Sequence, residues 1–137
     1  MNNDLQLGKI AEYQFIVDAS KRSLSPSIPV CDNRGYDFII HGKSKLYKIQ
    51  VKSTRTISKI PNGKTGAPFY KIGVCCGRDS KKTYSKEHLD FFAIYIFDLN
   101  QWFIVPLGVV TSKTLRIYPN NNLHKYSKYR EAWHLIK

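Results

Sequence analysis

Apolar residues recur at helical spacing near the start of the chain. Leu7, Ile10, Ala11 and Phe15 form one stripe of a helix that Asn3 or Asp4 can cap and that runs to about Ala19. Glu12 falls at the flank of that stripe, near the buried face but off its centre. Ser20 to Pro29 is rich in turn formers and leads into a short strand expected around Ile28 to Cys31. Beyond it the period changes to two. Tyr36 to His41 alternates, and Tyr47 to Thr54 alternates more sharply, with Tyr47, Ile49 and Val51 on one face and Lys48, Gln50 and Lys52 on the other. Gly42-Lys43-Ser44-Lys45 supplies the turn of a hairpin between them.

The remaining segments are shorter. Pro61, Asn62-Gly63, Gly66 and Pro68 predict a basic loop over about 55–68. A strand is expected at Phe69 to Cys76, then a second basic loop over about 77–86. Phe91 to Phe97 and Trp102 to Pro106 predict another hairpin, turning at Asp98-Leu99-Asn100-Gln101. Tyr126 to Ile136 has helical composition, with Trp133 as an anchor. This order predicts one α/β (α+β) domain over residues 1–137, a mixed sheet flanked by helices. A chain of 137 residues suits one core, burying roughly two thirds of its unfolded surface.

Charge narrows the function. Twenty-two Lys and Arg against ten Asp and Glu leave a formal net charge of +12, which draws the protein to polyanions. No segment gathers the bases on one side of an amphipathic helix, and no apolar run is long enough to span a bilayer. No membrane partner is expected, and without a signal-peptide pattern the expected location is cytoplasmic. Cys75 and Cys76 are adjacent and Cys31 stands alone, a set that fits core-filling thiols in a reducing compartment better than disulfides or zinc. His41, His88, His124 and His134 form no H-E-x-x-H pattern, and no phosphate-binding P-loop is present.

The hairpin carries the chemistry. A two- or four-residue turn gives the same register, in which His41 faces Leu46 and Asp37 faces Gln50. Opposed residues share a face with Cβ atoms about 5 Å apart, and Lys52 follows on the same side roughly 7 Å along. A hard divalent ion such as Mg²⁺ takes oxygen ligands of this kind. Asp37 offers a carboxylate, Gln50 a side-chain carbonyl and Val51 a backbone carbonyl. Lys52 could steer or deprotonate a water and stabilise charge on phosphoryl oxygens. The same residues would also serve as an ordinary surface ion pair.

Gly8-Lys9-Ile10-Ala11-Glu12 on the helix, Asp37 on one strand and Gln50-Val51-Lys52 on the next resemble the PD-(D/E)XK nuclease superfamily. The Q-x-K form resembles its small group I intron homing endonucleases. Asp90-Phe91-Phe92-Ala93-Ile94-Tyr95, Trp102-Phe103-Ile104-Val105-Pro106 and the ending Tyr129-Arg130-Glu131-Ala132-Trp133-His134 fit that subgroup too. The resemblance implies a restriction-endonuclease-like core and a metal-dependent DNA endonuclease with a long recognition site. It implies catalytic Glu12, Asp37, Gln50 and Lys52, with Glu12 reaching the metal through a water, Mg²⁺ as cofactor with Mn²⁺ able to substitute, and a homo-oligomer. Two departures stand out: Gln50 replaces the superfamily's usual acid, and Tyr36 replaces the proline before the Asp.

Arg34, Arg55, Lys59, Lys64, Arg78, Lys81 and Lys82 flank the site or lie in the basic loops, and are the candidates for phosphate contact on double-stranded DNA. Tyr70, Tyr84, Tyr118, Tyr126 and Tyr129 lie near basic residues, but at least half suit core filling better. Symmetric pairing as a homodimer or homotetramer would supply one site per strand. The rival readings are a Holliday-junction resolvase-type nuclease, a non-catalytic DNA-binding descendant of the fold, and an RNA-binding basic protein.

Overall fold

The computed structural model describes residues 3–31, 35–55, 57–58, 67–76 and 82–137. A single α-helix, α1 (Asn3–Lys21), opens the chain. Its buried line is Ala11, Phe15 and Ala19, one residue per turn. Ile10, expected on that line, is 43% exposed. The two alanines let the helix sit close to the sheet, and Phe15 fills the space between them. Its ring lies 5.0 Å from Phe38, 5.5 Å from Trp102 and 5.6 Å from Trp133.

The strands are β1 (Pro26–Ser27), β2 (Phe38–His41), β3 (Leu46–Thr54), β4 (Ile57–Ser58), β5 (Phe69–Gly73), β6 (Cys75–Cys76), β7 (Lys82–Thr83), β8 (Phe91–Ile96), β9 (Gln101–Pro106) and β10 (Thr114–Ile117). A five-stranded mixed sheet has the order β1-β2-β3-β8-β9, a three-stranded sheet the order β10-β5-β4, and β6 pairs with β7. This is the expected mixed sheet with a helix on it, although among the described residues only one flanking helix is α. No described helix is long and apolar enough to cross a membrane.

Several expectations shift. The strand foreseen at Ile28 to Cys31 lies earlier, at β1, and Val30 is fully exposed; Pro29 has no N–H to give a ladder. The strand foreseen at Phe69 to Cys76 breaks at Val74, whose N–H donates to Lys113 C=O (2.9 Å). The 55–68 loop contains β4, and β10 falls in a stretch where no strand was expected. The tail forms two 3-10 turns, Ser127–Tyr129 and Trp133–Ile136, in place of an α-helix. Between them Glu131 has φ 49°, which no helix accommodates.

Glu131 ties that tail to the rest. Its carboxylate accepts from the Trp102 backbone N–H (2.8 Å), from Trp133 Nε1 (2.7 Å) and from Arg22 (3.3 Å) at the end of α1.

What positions the site is a change of partner along β3. Its first half pairs antiparallel with β2, from His41↔Leu46 to Phe38↔Ile49, the predicted register. Its second half pairs parallel with β8, from Ile49↔Phe91 to Thr54↔Ile96. Asp90 fixes that parallel register: its N–H donates to Lys48 C=O (2.9 Å), and its carboxylate accepts the Lys48 N–H (2.8 Å).

Candidate active site

Where β2 gives out, the β2-side edge of β3 needs another partner, and Asp37 provides it. The Asp37 N–H donates to Ile49 C=O (2.8 Å), one residue out of step with a rung that would have set Asp37 opposite Gln50. Its Oδ2 then accepts the Val51 N–H at 2.8 Å. The carboxylate therefore lies at the sheet's edge and takes the place of a missing strand. The Val51 C=O points to the same side as its N–H, which puts it beside Asp37.

The two faces of β3 bring different groups to this edge. Phe38, Ile49 and Val51 face α1, where Phe15 meets Phe38. From α1 comes Glu12, whose Oε2 accepts from Lys9 Nζ at 2.9 Å. By alternation Gln50 and Lys52 face the other way. Lys52 Nζ donates to Tyr84 Oη at 3.4 Å and lies 5.4 Å from that ring's centroid. Tyr84 packs edge-on against Phe92, the residue that pairs with Gln50. The Gln50 amide makes no hydrogen bond among the described residues, so its oxygen is available.

Asp37 feels all of them. Burial pushes its pKa up from 3.8 to about 6, the Val51 N–H opposes that, Glu12 raises it further, and Lys52 and Lys9 pull it down. The carboxylate thus sits where its charge is under-compensated. It opens on a cleft of about 230 Å³ lined by Lys9, Glu12, Tyr13, Tyr36 and Phe38 among others.

Asp37 and Glu12, with the Val51 carbonyl, are hard oxygen donors of the kind a divalent ion takes. Among the described residues no three His, Cys, Asp or Glu side chains gather as a cluster.

Sequence reasoning brought Asp37, Gln50 and Lys52 together on one face. The structure keeps Asp37 within electrostatic reach of Lys52 and of Glu12 on the helix side, while Gln50 lies on the face of β3 turned away from α1. Tyr84 was the residue whose place here was missed. An aromatic next to charged residues was its only signal, and nothing in spacing ties it to Lys52. Arg55 is exposed just beyond β3. Arg34, Lys59, Lys64, Arg78 and Lys81 lie outside the described residues, as does the side chain of Lys82.

A helix laid on a mixed sheet, with an acid-rich edge where a central strand changes partner, defines a nuclease-type core. The chain belongs to the PD-(D/E)XK endonuclease family, which it matches over residues 2–136. Among solved structures it is similar to a bacterial homing endonuclease, I-Ssp6803I, at 26% identity, covering 94% of this chain and 89% of that one with a TM-score of 0.71. MepB is 20% identical over 85% of this chain and 94% of that one, with a TM-score of 0.35. None of the curated proteins matches.

Proposed function

We propose that the protein is a metal-dependent endonuclease that hydrolyses phosphodiester bonds at specific sites in duplex DNA, as its likeness to a homing endonuclease suggests. The observation that carries this reading is Asp37, a partly buried carboxylate fixed by the Val51 N–H with Glu12 and Lys52 acting on its charge.

In this reading Asp37, Gln50 and the Val51 carbonyl hold Mg²⁺, or Mn²⁺ in its place, and Glu12 orients a water bound beside it. The ion would polarise a phosphoryl oxygen and make a water more acidic. Val51 N–H keeps the Asp37 carboxylate aimed along the edge. Lys52, held by Tyr84, places its ammonium where charge builds on the phosphate, and can hold or accept a proton from the attacking water. Arg34, Arg55, Lys59, Lys64, Arg78, Lys81 and Lys82 bind the DNA backbone. Each site cuts one strand, so a symmetric homodimer or homotetramer supplies both cuts.

The test is cleavage and binding side by side. Asp37→Ala and Lys52→Ala should lose strand cutting in Mg²⁺ by at least a hundredfold, about the size of one transition-state contact, while keeping duplex affinity in Ca²⁺. Gln50→Leu should need far more metal. Full cutting by either alanine variant would overturn the site, and wild-type cutting in chelator would overturn metal dependence.

A further inference from the structure

The antiparallel pair β5–β10 stands outside the main sheet and has two unlike faces. Tyr70, Ile72, Leu115 and Ile117 point inward and are buried. The outward face carries Lys71 directly opposite Arg116, and Gly73 directly opposite Thr114. Lys71 and Arg116 are both exposed, and among the described residues neither has an acidic partner. Like charges directly opposed on a sheet destabilise it, so stability does not explain the pair. A polyanion laid across the ribbon does.

Gly73 adds an independent argument. A glycine within a strand weakens it. Here its backbone has no left-handed φ and a Cβ would meet nothing within 4 Å. Neither conformation nor packing within the chain requires it, which leaves close approach by something outside. The Arg116 guanidinium is meanwhile stacked over Phe69, 4.6 Å from the ring centroid. That contact holds the guanidinium in place, and among the described residues none of its N–H groups has a hydrogen-bond partner, so the fork can bind two acceptors on a guanine edge.

We propose that β5 and β10 form a base-reading ribbon that enters the DNA major groove. Arg116 and Lys71 contact base edges there, and Gly73 lets the backbone come close. Pairing with β4 reaches only Phe69 and Tyr70 of β5, so among the described residues the Lys71–Gly73 end with β10 is two-stranded, and the major groove, about 12 Å wide, admits a two-stranded β-ribbon. The chain from Lys52 to Ile57, which pairs with Tyr70 of β5, spans at most about 18 Å. With β5 also lying against β3, the bases read lie on the order of one helical turn, about 34 Å, from the cut phosphate. The proposal rests on the duplex-DNA reading above and adds which surface sets the sequence.

The test uses binding, so that it stands apart from cutting. Full-length wild type, Arg116→Ala, Arg116→Lys, Lys71→Ala and Gly73→Val are each used to select bound duplexes from a random library in Ca²⁺. Wild-type cutting in Mg²⁺ is followed in parallel. Arg116→Ala and Arg116→Lys should lose preference at a single base position and bind the selected site about ten- to a hundredfold more weakly, with off-site binding little changed. Gly73→Val should lose preference over the same short stretch. In the absence of DNA, Lys71→Ala should be as heat-stable as wild type or more so, because the repulsion is relieved.

An equal loss on every sequence, with the salt slope lower by about one, would mean phosphate contact and overturn base reading. Unchanged preferences in all four variants would overturn the ribbon while leaving the nuclease intact. A wild type that cuts but selects nothing would overturn both the ribbon and site specificity, and leave the metal site standing.

Discussion

At Asp37 the fold works against the charge it carries. In the folded chain its pKa stands near 6, against 3.8 for the ordinary value, with burial as the main cause. A raised carboxyl pKa means the folded state binds the proton more tightly. Between those two values stability therefore falls as pH rises, and the full penalty is present above the folded pKa. In metal-free protein Asp37→Asn removes it. The variant should be more stable than wild type at pH 7.5, by on the order of 2 kcal/mol, and no more stable below about pH 4. Thermal or urea unfolding in chelator at the two pH values checks this. Mg²⁺ should narrow the gap at pH 7.5 by stabilising wild type alone. The register from His41↔Leu46 to Phe38↔Ile49 was legible at this scale because alternation and a short turn fix a hairpin. The one-residue step at Asp37 was not. It depends on where β2 stops, and a chain that also pairs with β8 decides that.

Among the elements, the central ones follow from period. The β2–β3 and β8–β9 hairpins carry clean signals, and their registers need no distant information. The tail does not follow that way. Tyr126 to Ile136 has helical composition, but Glu131 spends its backbone and carboxylate on Trp102, Trp133 and Arg22, which come from three separate segments. Composition cannot report such a tertiary demand. Glu131→Ala would leave the Trp102 amide and the Trp133 indole N–H without acceptors in a packed region. We expect it to lower stability by about 2–4 kcal/mol, measured by urea unfolding. Glu131→Gln, which keeps one oxygen acceptor, should lose less. Equal stability in all three proteins would show that water satisfies those donors. The strand β10 was also missed, because Thr114 to Ile117 is too short to alternate convincingly.

For the whole molecule, the +12 charge was the plainest message in the sequence and it governs affinity more than arrangement. Duplex binding should weaken steeply with salt, each neutralised phosphate adding about 0.9 to the slope of log K against log salt. Lys81→Ala with Lys82→Ala should flatten that slope by up to about 2 if the segment over about 77–86, which includes β7 where a loop was expected, lies on the backbone; an unchanged slope would place it away from DNA. The fold class was legible at this scale from the order of elements and the motif that spans them.

The partner change along β3 also has a consequence in time. β2 and β3 are joined by a short turn, and such hairpins close in about 1–10 microseconds. Asp90, which sets the β8 register, is 42 residues from Lys48, and contacts between distant segments form slowly because the intervening chain must first be ordered. The half of β3 that bears Gln50 and Lys52 acquires its β8 neighbour only in that later step. A newly made or partly unfolded chain can therefore hold the hairpin, and even Asp37 near it, without the arrangement that cuts. If Lys52 and Gln50 serve cutting as proposed, cleavage in a refolding experiment should appear only with the slow phase that forms the β3–β8 pairing, after the hairpin signal.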